Sequence, residues 1–466
     1  MGTVYRELTK YYSPSSPQHS FTPCKRGSLF ESDSIMIKKI ALLTFLTFHM
    51  SSAVAAINDP MEQRIVDHID SALPQSLLEL EQAVNINSGT MNFKGVKQVG
   101  QFFRQHLDDI GFETQWVDGA AFDRAGHLSA SYGTQGVKIL LIGHLDTVFT
   151  ETDEFQTFKR LDKRYVSGPG ITDMKGGDVI IVSALRALKA LDLLGNTQIK
   201  VIMTGDEEHS GAPLSQSKHA LIEAAKWADI ALGFEDADGN IKTAVTARRG
   251  SVSWSLNVEG KPAHSSQIFK EDIGYGAIFE AARILNAFRV ELEKEENLTF
   301  NPGMIIGGTK ISHKPSESTG TAFGKTNVIP KTVKVAGDIR ALSQTQLTRA
   351  KKHMQKIVAS NLAHSSATLT FNEGYPPLSP SQGNSELLSL YNQVSQDLGF
   401  GEVTAVNPRN AGAADISFTA GHVEKALDGL GLMGTGGHTR DEVADMSSFS
   451  KNIKKSAVMI YRLSRQ

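Results

Sequence analysis

Cysteine is nearly missing. The chain has 466 residues and one cysteine, Cys24. Without its leader it would hold none, which excludes disulfides and thiolate metal ligands, so any metal must rest on histidine and carboxylate. A cysteine-free chain suits an oxidising compartment. A charge excess is also missing: 48 Lys and Arg face 50 Asp and Glu, the net charge is −2, and no basic stripe marks a nucleic-acid partner. No Gly-x-Ser-x-Gly elbow follows a strand, which removes that type of serine hydrolase. Past the leader there is no internal repeat and no long low-complexity segment.

What is present begins with that leader. Residues 1–35 are polar and rich in Ser and Pro. Met36-Ile-Lys-Lys then precedes an apolar run, Ile40 to Phe48, and the small-residue stretch Ser51-Ser-Ala-Val-Ala-Ala56. A positive start, a short apolar run and a small-x-small site read as a secretory signal cut near Ala55 or Ala56. The run is shorter than the roughly 20 residues of a membrane span, so no membrane attachment is expected after cleavage; a retained anchor is the alternative. Signals normally begin at the N-terminus, which makes Met36 the expected start. The expected destination is a periplasm or the outside of the cell.

The remaining length calls for two or three units at about 100–200 residues each. With 40% hydrophobic and 21% charged residues, the composition is that of a soluble globular protein. Apolar spacing predicts helices over Asp59–Asn85, Val96–Ile110, Asp178–Leu194 and Ser217–Lys226, with strands at Val137–Ile142, Gln198–Thr204 and Ala228–Phe234 between them. This alternation predicts an α/β fold with a mainly parallel central sheet. From Ser251 to Val258 the pattern changes to period two. Strands at Gly303–Ile311, Lys331–Ile339 and Ala367–Asn372, with helices at Ile273–Leu292 and Gln344–Ser360, complete a β-α-β-β-α-β order of ferredoxin-like type. The expected layout is a leader at 1–56, a discontinuous catalytic domain at 57–249 and 374–466, and an inserted α+β domain at 250–373. Helix is expected again at Ser385–Leu398 and at the chain's end.

Three predicted strands end in metal-competent groups: Gly143-His144-Leu-Asp146, Gly205-Asp206-Glu207-Glu208 and Glu235-Asp236-Ala-Asp238. Between the first two lies Gly168-Pro-Gly-Ile-Thr-Asp173-Met-Lys-Gly-Gly177. Ligands bind beyond the carboxyl ends of strands in open α/β sheets, so these groups are expected to converge. Clustered carboxylates raise each other's pKa unless a cation joins them. Zinc accepts His nitrogen and carboxylate oxygen, and paired metals clamp a hydrolytic transition state. Taken singly, each motif would read as a surface pair, a solvated doublet or, for Gly436-Gly-His-Thr439, a flexible loop.

In this order, His144-Leu-Asp146-Thr-Val, the Asp173 loop, Asp206-Glu207-Glu208, Phe234-Glu235 and His438-Thr-Arg-Asp-Glu442 resemble the co-catalytic zinc exopeptidases. These include glutamate carboxypeptidases, acetylornithine deacetylase, succinyl-diaminopimelate desuccinylase and aminoacylase-1. The resemblance covers about 60–466. It implies that His144 and Glu235 bind one zinc, Glu208 and His438 another, and Asp173 bridges them; cobalt or manganese also suit such ligands. It implies that Asp146 orients His144 and that Glu207 is the general base. His264, in Gly260-Lys-Pro-Ala-His264-Ser, would stabilise an oxyanion, often across a dimer formed by the inserted domain. Asn327 and Arg340 would hold a substrate carboxylate. Asp415 matches a substrate-binding loop usually written Gly-Gly-Thr-Asp, here changed to Ala413 and Ala414 before it. The doublet Arg248-Arg249 either recognises an acidic substrate or caps the hinge. Glu235 is preferred to Asp236 because it directly follows Phe234.

The export signal and Phe234-Glu235 favour the glutamate carboxypeptidase branch: release of a C-terminal amino acid, glutamate in the first instance, from a peptide or N-acyl conjugate. An acetylornithine deacetylase-like N-acyl-amino-acid deacylase is the second expectation. A catalytically silent metal-binding dimeric protein is the third, disfavoured because Glu207 and all five ligand positions are present.

Overall fold

A strand buried on both faces needs unbroken apolar sequence, and Ile139 to Ile142 supplies it with every side chain buried. A computed structural model of the chain describes residues 59–315 and 318–465. The leader, with Met36 and the cleavage site, lies outside the described residues; among these no helix is long and apolar enough to cross a membrane.

The central sheet contains β1 (Glu113–Asp118), β2 (Gly126–Tyr132), β3 (Val137–His144), β4 (Thr197–Thr204), β5 (Ile230–Gly233) and the edge strand Lys425–Leu427. Their order is β1-β2-β4-β3-β5-edge. From β4 to the edge strand every pairing is parallel, whereas β1 and β2 form an antiparallel flank. The sheet is mainly parallel, as its sequence pattern predicts. The flank was not predicted, because β1 buries little of itself and carries no clean alternation.

Helices α1 (Pro60–Val84), α2 (Phe93–Asp109) and α3 (Gly176–Ala190) pack around this sheet. The start of α1 follows from Asp59, whose carboxylate accepts from the Met61 N–H at 2.8 Å, and from Pro60 at the first helical position. Pro74 inside α1 lacks an N–H and leaves one helical bond unmade. Long-range ion pairs hold the helix on either side of it: Glu62 takes a bidentate bond from Arg462 at 2.7 and 2.8 Å, and Glu79 pairs with Arg186 at 2.8 Å.

Residues from Gly250 to Phe371 build a second sheet with its own apolar cluster. Its strands are β6 (Gly250–Gly260), β7 (Thr299–Gly308), β8 (Thr332–Ala341) and β9 (Ser365–Phe371), backed by α4 (Gly276–Leu292) and α5 (Gln344–Val358). The order β7-β8-β6-β9, all antiparallel, is the ferredoxin-like arrangement. The period-two signal in β6 is explained by Val252, Trp254, Leu256 and Val258, which all point into the cluster. The strand expected at Gly303–Ile311 is instead two pieces. β7 stops at Gly308, where a Cβ would lie 2.6 Å from the Phe323 carbonyl oxygen, and a hairpin of Lys310–Lys314 and Thr319–Phe323 follows.

After β9 the chain returns to the first sheet through α6 (Gln382–Asp397) and α7 (Phe449–Leu463). Within α7, Lys455 is 1% exposed. Its ammonium sits 4.6 Å from the Tyr391 ring centroid and 3.4 Å from the Ile241 carbonyl oxygen, with no carboxylate paired to it among the described residues. Burial, helped by Lys451, pushes its pKa down to about 7 from 10.5. Between those values the unfolded chain binds more protons than the folded one, so stability rises with pH across that window. Lys455→Met is therefore expected to stabilise the fold by about 2–4 kcal/mol near pH 6, at ~1.4 kcal/mol per tenfold change in proton affinity. The gain should vanish as the pH approaches 10.5. Urea unfolding at several pH values checks this; a gain that does not change with pH contradicts it.

Candidate metal centre

The register of the parallel strands explains why distant residues meet. Ile142 in β3 pairs with Ile202 in β4 and with Gly233 in β5, and His144 pairs with Thr204. The residues that follow, Gly205 to Glu208 and Phe234-Glu235, therefore leave the sheet at the same edge as His144. Asp173 arrives from the loop ahead of α3. Gly177 lets α3 start hard against β5, since a Cβ there would lie 2.0 Å from the Phe234 carbonyl oxygen.

Two ligand groups share one aspartate. His144 Nε2 lies 3.0 Å from Asp173 Oδ1 and 3.5 Å from Glu235 Oε1. His438 Nε2 lies 2.9 Å from Asp173 Oδ2 and 3.0 Å from Glu208 Oε2. Each group, His144–Asp173–Glu235 and Asp173–Glu208–His438, has its donor atoms close enough to hold one ion. Ligands at zinc distances of about 2.0–2.2 Å in a tetrahedron sit roughly 3.3 Å apart, so the observed spacing fits. Of Glu235 and Asp236, only Glu235 joins a group among the described residues. His438 holds φ of 63°, a left-handed conformation uncommon outside glycine.

The tautomer of His144 follows from its other nitrogen. Nδ1 is 3.0 Å from the carbonyl oxygen of Asp146, which only accepts, so Nδ1 carries a proton, and Nε2, which faces Asp173 and Glu235, is the nitrogen that would give up its proton to a cation. The Asp146 carboxylate is farther away, at 3.6 Å. It accepts instead from the backbone N–H groups of Glu207 (3.0 Å) and Glu208 (3.2 Å) and from Thr90 Oγ1 (2.6 Å). Asp146 thus orients His144 through its main chain and pins the next strand end through its side chain.

The electrostatics are those of a site short of positive charge. Burial raises Glu207 well above the usual carboxylate range, with Asp415, Glu235 and Glu208 adding to it. Burial lifts Glu208 to about 7 and also raises Glu235, which Asp173 pushes further. Asp173 runs the other way: burial opposes its charge, but hydrogen bonds from His144 and His438 hold it low. Hydrogen bonds to Asp173 and Glu208 raise His438 to about 11. Divalent cations are what such donors fit, because they remove the repulsion that protons otherwise relieve.

Asp415 requires a correction. It is 3% exposed and its oxygens are taken inside the protein. Oδ2 accepts from Thr204 Oγ1 at 2.5 Å, and Oδ1 faces Lys218 at 3.0 Å and the Tyr375 hydroxyl at 3.1 Å. It is buried structure behind the site and has no free edge for a substrate.

His264, Asn327 and Arg340 lie on or beside the inserted sheet. His264 bridges to Val328, and the Ser265 N–H donates to the Asn327 carbonyl oxygen at 2.9 Å, so these two are neighbours. Arg340 uses Nε on Asp338 at 2.9 Å. Among the described residues no hydrogen bond or ion pair joins these three to the ligand groups. The arginine doublet divides: Arg248 is buried on Asp428 at 2.7 Å, while Arg249 bonds Thr299 and is pushed below the usual range by burial and by the charges of Arg409 and Arg340.

Glu442, Lys218 and Tyr375 had no role assigned from sequence. Glu442 is fully buried and accepts from the N–H groups of Gly170 (2.9 Å), Thr172 (2.8 Å) and Asp173 (3.3 Å), which shapes the loop that presents Asp173. A glutamate four residues past His438 was its only signal. Beside Glu208 and His209, a cleft of about 420 Å³ opens between Gly89–Asn92 and Thr147–Glu151.

Residues 140–462 match the profile of peptidase family M20/M25/M40. The chain belongs to this family. Carboxypeptidase G2 of Pseudomonas sp. (strain RS-16) is 25% identical over 398 residues, covering 84% of this chain and 89% of that protein. Succinyl-diaminopimelate desuccinylase of Magnetococcus marinus is 23% identical over 385 residues, covering 77% and 91%. The fold of this M20 metallopeptidase is shared by aminopeptidase PepT of Bacillus cereus, with a TM-score of 0.64 at 19% identity over 86% of this chain and 98% of that one. It is also shared by a Bacillus subtilis protein described as a dinuclear metal binding peptidase, with a TM-score of 0.60 at 13% identity over 85% and 99%. An M20 hydrolase whose carboxylates and histidines form two groups around one aspartate is a metal-dependent one.

Proposed function

We propose that this M20 hydrolase is an exopeptidase that releases a C-terminal acidic amino acid, glutamate first, from peptide or N-acyl conjugates. The observation that carries the reading is the pair of ligand groups sharing Asp173. Two zinc ions are the proposed occupants, one held by His144, Asp173 and Glu235, the other by Asp173, Glu208 and His438; cobalt and manganese also suit this nitrogen and oxygen set. The ions supply Lewis acidity, which acidifies water and polarises a carbonyl. Glu207 takes a proton from the attacking water and passes it to the leaving amine. His264 serves the oxyanion, and Asn327 and Arg340 hold the substrate carboxylate. Arg249, pushed below the usual range first by burial and then by the charges of Arg409 and Arg340, supports an acidic leaving group as a local excess of positive charge.

The same reading includes export to a periplasm or beyond, with the leader removed. It keeps the catalytic parts at 57–249 and 374–466 and the inserted domain at 250–373. It also includes a homodimer through the inserted domain, supported by exposed Ile278, Phe279 and Val290 on α4 and by Phe269 beside Phe279.

A panel of N-acyl amino acids with one acyl group and varied leaving residues tests the substrate. Glutamate should exceed alanine and arginine by about 10²-fold in kcat/KM. Arg340→Ala should raise KM for the glutamate substrate about 10–100-fold, the range for a lost hydrogen bond to a charged group. An enzyme that ignores acyl-glutamates but cleaves acetylornithine is the deacylase instead.

A further inference from the structure

We infer that Tyr375 is a positioning residue for Glu207, acting through the peptide that joins Glu207 to Glu208; the inference rests on the reading of Glu207 as the base. That peptide is pinned at both ends. Its C=O, the Glu207 carbonyl oxygen, accepts from the Tyr375 hydroxyl at 2.9 Å. Its N–H, that of Glu208, donates to Asp146 at 3.2 Å. Rotation of this one unit would swing the base relative to Glu208, so the two bonds fix the angle between the base and a ligand.

Buried charge holds the hydroxyl in place. Lys218 is 0% exposed and sits 2.8 Å from Asp206 Oδ1 and 3.0 Å from Asp415 Oδ1. Its Nζ also donates to the Asp206 carbonyl oxygen at 3.2 Å, one residue before the base. The Tyr375 ring lies over the same ammonium at 5.6 Å and packs on Phe418 at 4.9 Å between centroids. Asp415 Oδ1 is also within 3.1 Å of the Tyr375 hydroxyl, so its one proton is shared between that carboxylate and the Glu207 carbonyl oxygen, and the Ser210 hydroxyl lies 3.3 Å from the same oxygen. The carbonyl of Asp206 is thus held by Lys218 and that of Glu207 by Tyr375, whereas Asp146 holds the N–H groups of Glu207 and Glu208.

Tyr375 is itself anchored where the inserted sheet leaves and rejoins the first. The Ser251 N–H, at the start of β6, donates to the Tyr375 carbonyl oxygen at 3.0 Å. The hydroxyl therefore reports the position of that junction to the base.

Tyr375→Phe removes one oxygen and leaves the ring contacts. A misplacement near 1 Å costs on the order of 10²-fold in rate. The variant, made in the full chain loaded with zinc, is expected to lose about 10–100-fold in kcat with KM within threefold and two metals per chain. In a Glu207→Gln background the same change should add less than twofold, because it acts through the carboxylate already removed. An unchanged kcat, an effect carried in KM, lost metal, or an equal loss in both backgrounds overturns the inference. A Glu207→Gln enzyme that stays fully active overturns instead the assignment of the base.

Discussion

Glu207→Gln is expected to keep both metals and to lose turnover by about 10³-fold, inside the 10²–10⁴ range of general acid–base catalysis. The change is nearly isosteric, and the amide accepts no proton at neutral pH. The backbone of Glu207 would stay in place, since its N–H donates to Asp146 and its carbonyl oxygen accepts from Tyr375, neither through the side chain. Neither ligand group contains Glu207, so metal content should not change. Steady-state hydrolysis with metal analysis on the same sample reads both. Activity within tenfold of the parent would assign the base elsewhere, and a chain without metal would make Glu207 a ligand.

Removing the metals should abolish activity and lower the melting temperature by several degrees. An ion at 1,000 times its dissociation constant stabilises a fold by about 4 kcal/mol. Its removal also leaves Glu208 and Glu235, both raised first by burial, beside Asp173 with only the protonated histidines as counter-charge. Zinc, cobalt or manganese should restore activity after the chelator is dialysed away. Asp173→Asn should lose both ions, because Asp173 turns one oxygen to His144 and the other to His438. Glu235→Gln should weaken chiefly the ion on the His144 side. An Asp173→Asn chain that still carries two ions would remove the shared-aspartate arrangement, and full activity after exhaustive chelation would remove metal dependence.

The convergence of His144, Glu208 and Glu235 was legible because strand ends carry a local signature, whereas their proposed role as ligands, with Asp173 and His438, rests on the ordered motifs of the family resemblance. An apolar run followed at once by His144, by Glu207-Glu208 or by Glu235 shows where the chain leaves the sheet, and the parallel register brings those exits together. The inserted sheet was legible for a similar reason, through the period-two burial of β6. What was not legible depends on partners far along the chain. Lys218 stands in a polar stretch that looks like an exposed helix start, yet its ammonium is drawn inward by Asp206 and Asp415, which lift it despite burial, and the expected helix is split at that residue. Tyr375 sits in a Pro-rich return loop and meets the Glu207 carbonyl oxygen across 168 residues. Asp415 matched a binding motif by spacing, and only its depth shows that its charge is used internally. The β1–β2 flank lacked a pattern because β1 lies at the sheet edge with little burial.

The position of His438 sets an order of events during synthesis. One ligand group takes its last member from a loop late in the chain, after both visits to the first sheet and the whole inserted sheet. A nascent chain that has just completed β9 already contains His144, Asp173 and Glu235, but not the histidine that completes the second group or Glu442, which shapes the Asp173 loop. Contacts of such long sequence separation form slowly because loop closure precedes their reward. On the proposed ligand set, capture of the full metal pair is expected to be a late step, and a chain interrupted after the inserted sheet is expected to hold at most one ion.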